Sequence, residues 1–381
     1  MKVVQQIAPE EFQGDGGERI RFDRWTVTAP GEVLAETSPL IGVSSESVLS
    51  RYCSEMLIGA ADSRLRCVLP FADLRDRTNG GMGFSEVFTQ NLPILTQRRS
   101  ALDWRQEGSA LAASLVRYVY LRTSLTPAQD DVQAHLCGLS AGGTWTATVA
   151  LGMWSGAKAS MDSGDVRIER RYDDGVELSL LAAELISRFG MVTLRDAMRQ
   201  SEQRANGVLS PFHAGYYQFS LGVCSVIFCV ASNVFVITRR GRRTHVNRGR
   251  VCAASGGVNW AAISKHHELF AALDASIMDE HHEEIGDVNG FRFIRVGFAR
   301  ELAREGSPEF FYTVCFPGTV EQVVQIIASN THPDSDEVDG YVYAFSPEAA
   351  RALLMSENGC NVVHNKGLMN LYFSLIQMGE W

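Results

Sequence analysis

Past residue 206 the sequence switches repeatedly between a period of two and a period of 3.6, and this alternation restricts the fold more than any other feature of the chain. Residues 223–230 and 234–238 are rich in β-branched and aromatic side chains and are separated by the turn-forming Ala231-Ser232-Asn233, which reads as two adjacent strands. A glycine-containing loop follows, then helical spacing from about 263 to 284, a β-rich run at 310–316, a helix at 320–328, a strand at 341–345 and a helix opening at Ser346-Pro347-Glu348. Serine suits the N-cap because its hydroxyl accepts from a free amide of the first turn. Proline suits the first helical position because its missing N–H would have had no partner there. Strands interspersed with helices place residues 206–381 in the α/β or α+β class, with a C-terminal helix.

Residues 1–205 carry strand-like stretches within 22–33 and helical spacing at 110–121 and 178–189, and are expected to form a separate mixed α/β domain that no motif assigns. The polar, turn-prone texture of 199–215 suits a linker, which puts the boundary near 205. Two domains accord with 381 residues, because single hydrophobic cores stop growing beyond roughly 250–300 residues. A balance of 35 Lys+Arg against 44 Asp+Glu, net charge −9, repels nucleic acid and anionic membranes, so any anionic ligand has to be held locally. The most apolar run, 223–237, contains Ser225, Ser232 and Asn233 and is shorter than the about 20 residues a membrane helix needs. The eight cysteines include no CxxC pair and the N-terminus shows no secretory signal, so the expected location is cytoplasmic with reduced, mostly buried thiols. Oligomeric state is not legible, and a homodimer stays open.

The strongest chemical signal is Asp279-Glu280-His281-His282-Glu283-Glu284-Ile285-Gly286. At 3.6 residues per turn Glu280, Glu283 and Glu284 fall within a sector of about 100°, and Leu273 and Ile277 lead into the same row. The apolar stripe expected to face the core therefore runs into carboxylates. Partly buried like charges are costly unless a cation or hydrogen-bond donors compensate them. Oxygen ligands favour Mg²⁺ or Mn²⁺, and Mg²⁺ keeps positions open for water and substrate phosphates. The plain structural alternative is a solvated acidic helix end stopped by Gly286 as a C-cap.

Glu280, Glu283, Glu284 and Gly286, preceded by Gly256-Gly257 and Glu268, resemble the Nudix box, G-x5-E-x7-R-E-U-x-E-E-x-G-U with U apolar. The order of the surrounding elements agrees over about residues 215–355: a strand pair ending in Arg239-Arg240, the Gly-Gly turn, then Ser335-Asp336-Glu337-Val338 before the strand at 341–345. The resemblance implies an α/β/α sandwich with a mixed sheet. Its activity would be Mg²⁺-dependent cleavage of a nucleoside diphosphate linked to another group, such as a nucleotide sugar, a small-molecule partner. It carries metal-ligand roles to Glu280, Glu283 and Glu284, catalytic roles to Glu283 and Glu284, and a further ligand or base role to Glu268 and Glu337. The chain departs from the box in having ten residues between Gly257 and Glu268 and ten between Glu268 and Asp279, eight more in all than the box. Asp279 stands where the box has arginine, His281 and Asp287 where it has apolar residues.

Diphosphate chemistry also needs cations for the substrate. Arg239, Arg240, Arg242, Arg243, Arg248 and Arg250 put six guanidinium groups in twelve residues, with His245 among them, and arginine pairs phosphate bidentately. Arg239, Arg240, Arg243 and Arg248, with Gly256, Gly257 and Trp260 as a stacking surface for a base, are the candidate substrate contacts. An exposed hairpin edge protected by arginine explains the run equally well, and the absence of interleaved aromatics argues against nucleic acid. Gly138-Leu139-Ser140-Ala141-Gly142 fits a nucleophile elbow, yet no histidine follows Ser140 before His213. The Gly80-Gly81-Met82-Gly83 turn lacks the Lys-Ser/Thr of a phosphate loop, and the His266-His267 and His281-His282 pairs lack zinc spacing. Two other classes remain: a nucleotide-binding or sensor module that keeps a degenerate box without hydrolysis, and a separate enzyme in residues 1–205.

Overall fold

The structure is a computed structural model. It describes residues 2–13, 17, 19–32, 34, 52–53, 55–57, 64–66, 69–70, 94–97, 132–141, 145–157, 220–240, 251–252, 254–287, 289–301, 307–356 and 365–380. The expected helices at 110–121 and 178–189, the linker at 199–215, the Gly80–Gly83 turn and Arg242, Arg243, His245, Arg248 and Arg250 lie outside the described residues.

Sixteen strands run in chain order among the described residues. They are β1 (Val3–Gln13), β2 (Arg19–Thr28), β3 (Tyr52–Cys53), β4 (Glu55–Leu57), β5 (Arg64–Arg66), β6 (Leu69–Pro70), β7 (Ile94–Gln97) and β8 (Val132–Ala141), followed by β9 (Trp145–Met153), β10 (Gly222–Cys229), β11 (Val234–Arg240), β12 (Val251–Cys252), β13 (Ala254–Gly257), β14 (Arg292–Glu301), β15 (Ser307–Phe316) and β16 (Val338–Phe345). The helices are α1 (Trp154–Ala157), α2 (Trp260–Lys265), α3 (Leu269–Glu284), α4 (Val320–Ser329), α5 (Pro347–Met355) and α6 (Asn365–Met378).

The main sheet follows the order β1-β2-β16-β11-β10-β15-β14-β3, with β12, β13 and β6 pairing onto β11, β10 and β14. β10 and β15 pair in parallel from Gly222↔Glu309 to Cys229↔Phe316, and the other pairs of this sheet are antiparallel. All eight residues of β10 are buried, as a strand covered on both faces requires. On one face Cys224, Val226 and Phe228 join Phe235, Ile237, Phe311 and Phe345 in a core closed by Leu353 of α5 and Leu368, Leu371 and Phe373 of α6. On the other, Ile227, Cys229, Val236, Val314 and Val342 pack against Val320, Val323, Val324 and Ile327 of α4 and Ile285 at the end of α3. The fold is thus a mixed α/β architecture with helices on both faces of a large mixed sheet.

Local sequence accounts for several of these elements. Ser346 caps α5 by accepting from the Ala349 N–H at 3.2 Å, with Pro347 in the first turn. Thr319 and Gln322 form a capping box at α4, in which the Thr319 N–H donates to Gln322 Oε1 at 2.8 Å. The single helix expected from 263 to 284 is divided: α2 ends at Lys265, His266 is extended (φ −114°, ψ 136°), and α3 begins at Leu269. α2 instead starts earlier than expected because Asn259 caps it, accepting from the Ala261 N–H at 2.8 Å.

β2 pairs with β16 from Tyr341↔Thr26 to Ala344↔Asp23, so the sheet takes in chain from both sides of residue 205. A smaller sheet, β7-β9-β8, also touches it: the Ala134 N–H donates to Val258 O at 2.8 Å and the Leu221 N–H to Ala134 O at 2.9 Å. The motif at 138–142 does not form a nucleophile elbow over its described residues, 138–141. β8 runs through Ala141 and pairs antiparallel with β9, Ser140 opposite Thr146, instead of turning from strand to helix. Cys137, Cys224 and Cys229 are buried and Cys315 partly so, all four with free thiols. Among the described residues no helix is long and apolar enough to cross a membrane.

Candidate carboxylate site

α3 lies on the α4 side of the sheet and buries Leu269, Phe270, Ala272, Leu273, Ser276, Ile277, His281 and Glu284. Phe270 meets Phe310 edge-on at 6.4 Å, and Asp274 accepts from the Tyr312 hydroxyl at 2.9 Å, which locks the middle of the helix onto β15. Burial first, then the neighbouring Asp274 carboxylate, raises the Tyr312 pKa well above the usual phenol value. The apolar stripe does run into acid: Glu284 is buried, Glu280 half-buried, and Asp279 exposed.

Glu280 is seated on the Gly-Gly strand. Gly256 pairs with Val223 of β10, and a Cβ built on Gly256 would fall within the Glu280 carboxylate, so only glycine leaves room for that side chain. Gly257 receives a side chain on the opposite face, where a Cβ would collide with the Gln133 amide; Gln133 also accepts from the Ser220 hydroxyl at 2.7 Å. The two adjacent glycines therefore admit two close approaches, one from α3 and one from β8. The Glu280 carboxylate oxygens, beside backbone that a Cβ would block, have the donor chemistry of a hard divalent cation, but among the described residues no group of three metal-capable side chains includes Glu280 or Glu284.

Between these carboxylates on the helix, His281 is 0% exposed. Its Nε2 lies 2.5 Å from Ser225 Oγ of β10, its ring meets Phe293 edge-on at 5.2 Å, and its Nδ1 has no hydrogen-bond partner. Burial lowers its pKa from 6.5 to about 3, so the ring is neutral at physiological pH and packs as an uncharged core side chain. The helix then stops as expected of Gly286: its φ is +125° and its N–H donates to His281 O at 2.9 Å. Asp287, just past the helix stop, is exposed and accepts from the Asn289 N–H at 3.0 Å, which lowers its pKa.

Glu283 faces a different neighbourhood. The 3₁₀ turn Pro333–Glu337, between α4 and β16, packs on the end of α3 and brings His332 and Asp334 to Glu283, with one ligand-capable atom from each lying within 4.8 Å of the others. Asn330 ties the two segments together: its Nδ2 donates to Glu283 O, and its Oδ1 accepts from the His332 N–H, both at 2.9 Å.

The remaining expected site residues are not gathered at one place. Glu268 is exposed and precedes the first turn of α3, so it is separated from Glu284 by about 24 Å along the helix axis. Arg239 places its guanidinium over the Tyr341 ring, 5.7 Å from the centroid, on the face covered by α5 and α6 and thus across the sheet from Glu280 and Glu284. Arg240 pairs with Val338 by its backbone, beside Glu337 at the end of the 3₁₀ turn. Trp260 is half-buried and opens α2, which packs on α3 and β8. Arg243 and Arg248 lie outside the described residues.

Sequence reasoning passed over Gln133, Ser225, His332 and Asp334. His332-Pro333-Asp334 carries a turn signal, since His332 caps the 3₁₀ turn and proline follows, but nothing in the spacing of residues 332 and 283 connects them. No protein-family model matches the chain, and no curated protein matches it.

Proposed function

We propose that the chain is a Nudix-type, Mg²⁺-dependent pyrophosphohydrolase acting on a nucleoside diphosphate linked to another group, with its chemistry on the α3 side of an α/β/α sandwich. The observation that carries the reading is the seat of Glu280 on Gly256, one helical turn from the buried Glu284. That contact joins the two halves of the box, the Gly-Gly strand and the glutamate helix, despite the eight additional residues between them. Glu280 and Glu284 would hold the cation, Glu283 being turned to His332 and Asp334, and the cation when bound would neutralise diphosphate charge and lower the pKa of a bound water. The residues of the chain supply the rest. Glu284, held in a buried row behind Ile277, is fixed in orientation to accept a proton, and Glu337 stands on the turn that packs on the end of α3. His281, hydrogen-bonded to Ser225, anchors that end of the helix to β10 without contributing charge.

Two placements favour a second reading, a nucleotide-binding module without hydrolysis. Arg239 is across the sheet from the carboxylates, and exposed Asp279 stands where the family carries arginine. One panel of nucleoside diphosphate derivatives separates the readings, with nucleotide and phosphate release measured with and without Mg²⁺. Hydrolysis is expected, lost by at least about 100-fold in Glu284→Gln with the melting temperature retained. Equal turnover in parent and variant refutes the assignment. Stabilisation by a nucleotide with no product over hours at saturating Mg²⁺ decides for the binding module.

A further inference from the structure

We propose that Glu283, His332 and Asp334 form a second metal site, distinct in class from the all-oxygen pair Glu280 and Glu284: one imidazole nitrogen and two carboxylates suited to a borderline divalent ion such as Zn²⁺. The cluster joins two elements distant in sequence. Glu283 comes from the last turn of α3 and the other two from the turn that packs on it, with one donor atom of each within 4.8 Å of the others. Imidazole selects zinc and its neighbours in the first transition row over Mg²⁺, which prefers oxygen alone.

The separation inside the cluster is that of ligands rather than of a hydrogen bond. His332 Nδ1 and Asp334 Oδ2 are 3.5 Å apart, beyond normal hydrogen-bond range. Two donors bound tetrahedrally to zinc at 2.0–2.1 Å stand about 3.4 Å apart. His332 Nδ1 accepts from the Asp334 N–H at 3.3 Å, a bond beyond the usual 2.7–3.2 Å, and an ion bound at Nδ1 would replace that weak contact. Asn330 supplies the outer support such sites use, bridging the backbones of Glu283 and His332 through its two side-chain atoms. Glu283 and His332 are half-buried and Asp334 exposed, so an ion there would be reached from solvent and would complete its shell with water.

The site does not depend on the pyrophosphohydrolase reading, and its test uses no substrate. Untagged full-length protein, stripped with chelator, is titrated with Zn²⁺ and, for its visible spectrum, with Co²⁺, both in millimolar Mg²⁺. One Zn²⁺ per chain is expected, and Co²⁺ is expected to give absorption typical of low coordination number. His332→Ala and the nearly isosteric Asp334→Asn should each weaken Zn²⁺ at least tenfold, while the double variant Glu280→Gln/Glu284→Gln stays within about twofold of the parent. Circular dichroism of the two turn variants checks that the fold is kept. Absence of saturable Zn²⁺ binding overturns the proposal. Binding retained in both His332→Ala and Asp334→Asn overturns it too, by placing the ion elsewhere.

Discussion

Lowering the pH should destabilise this protein through one buried ring, His281, by an amount the structure fixes. The ring is 0% exposed, with a folded pKa of about 3 against an ordinary value of 6.5. Because the folded pKa is depressed, the unfolded chain binds the proton first. The stability this provides is complete above pH 6.5 and is lost as the pH falls toward 3. At pH 5 the unfolded histidine is almost fully protonated and the folded one almost fully neutral. The gap of 1.5 units, at 1.36 kcal/mol per unit, costs about 2 kcal/mol. Carboxylates titrate in the same range, so the measurement is differential. Urea unfolding followed by tryptophan fluorescence at pH 8, 6.5 and 5 is compared between the parent and Ser225→Ala/His281→Leu. That variant restores an apolar residue and removes the hydroxyl that would otherwise lose its partner. The parent should lose about 2 kcal/mol more than the variant between pH 8 and pH 5. A differential below about 0.5 kcal/mol, or an imidazole NMR signal titrating near pH 6.5 in the folded protein, refutes the burial argument.

Three further substitutions test other parts of the structure. Gly256→Ala should expel the Glu280 carboxylate; since that group ends a flexible side chain, urea stability should change by no more than about 1.5 kcal/mol while any Mg²⁺-dependent turnover collapses. Gly297→Ala should cost more stability, about 1–3 kcal/mol, because its Cβ would stand 2.5–2.7 Å from the ring of Phe373, which is 0% exposed and has nowhere to move. Lys366→Met should cost about 3–5 kcal/mol, since Lys366 Nζ lies 2.7 Å from Glu309 Oε1 and Glu309 is 1% exposed; adding Glu309→Gln should recover a large part of the loss in the same urea assay.

Much of the second half of the chain was legible because its signals are local. The two runs flanking Ala231-Ser232-Asn233 are β10 and β11, with Asn233 at φ +52° in the turn between them, and the helix at 320–328 is α4 with one residue added. The opening of α5 at Ser346-Pro347 and the stop of α3 at Gly286 follow from hydrogen-bond accounting at helix ends, which acts over three or four residues. The break at His266 was not legible, since the helical period continues across it. Nor was the pairing of β2 with β16, a contact between segments about 300 residues apart that no local pattern encodes.

What the sequence determined by itself is which residues share a face of their own element, as Leu273, Ile277 and Glu284 share one buried row of α3. What the tertiary structure decided is the neighbour each face receives. Three glutamates within one sector of α3 were separated, Glu280 onto Gly256 and Glu283 onto His332 and Asp334, while Arg239 was turned to the opposite side of the sheet. The physical reason is that helix and strand periodicity is set by backbone geometry within a few residues. Partners across the sheet are set by strand order and by which loop packs on a helix end, and both depend on burial summed over the whole chain.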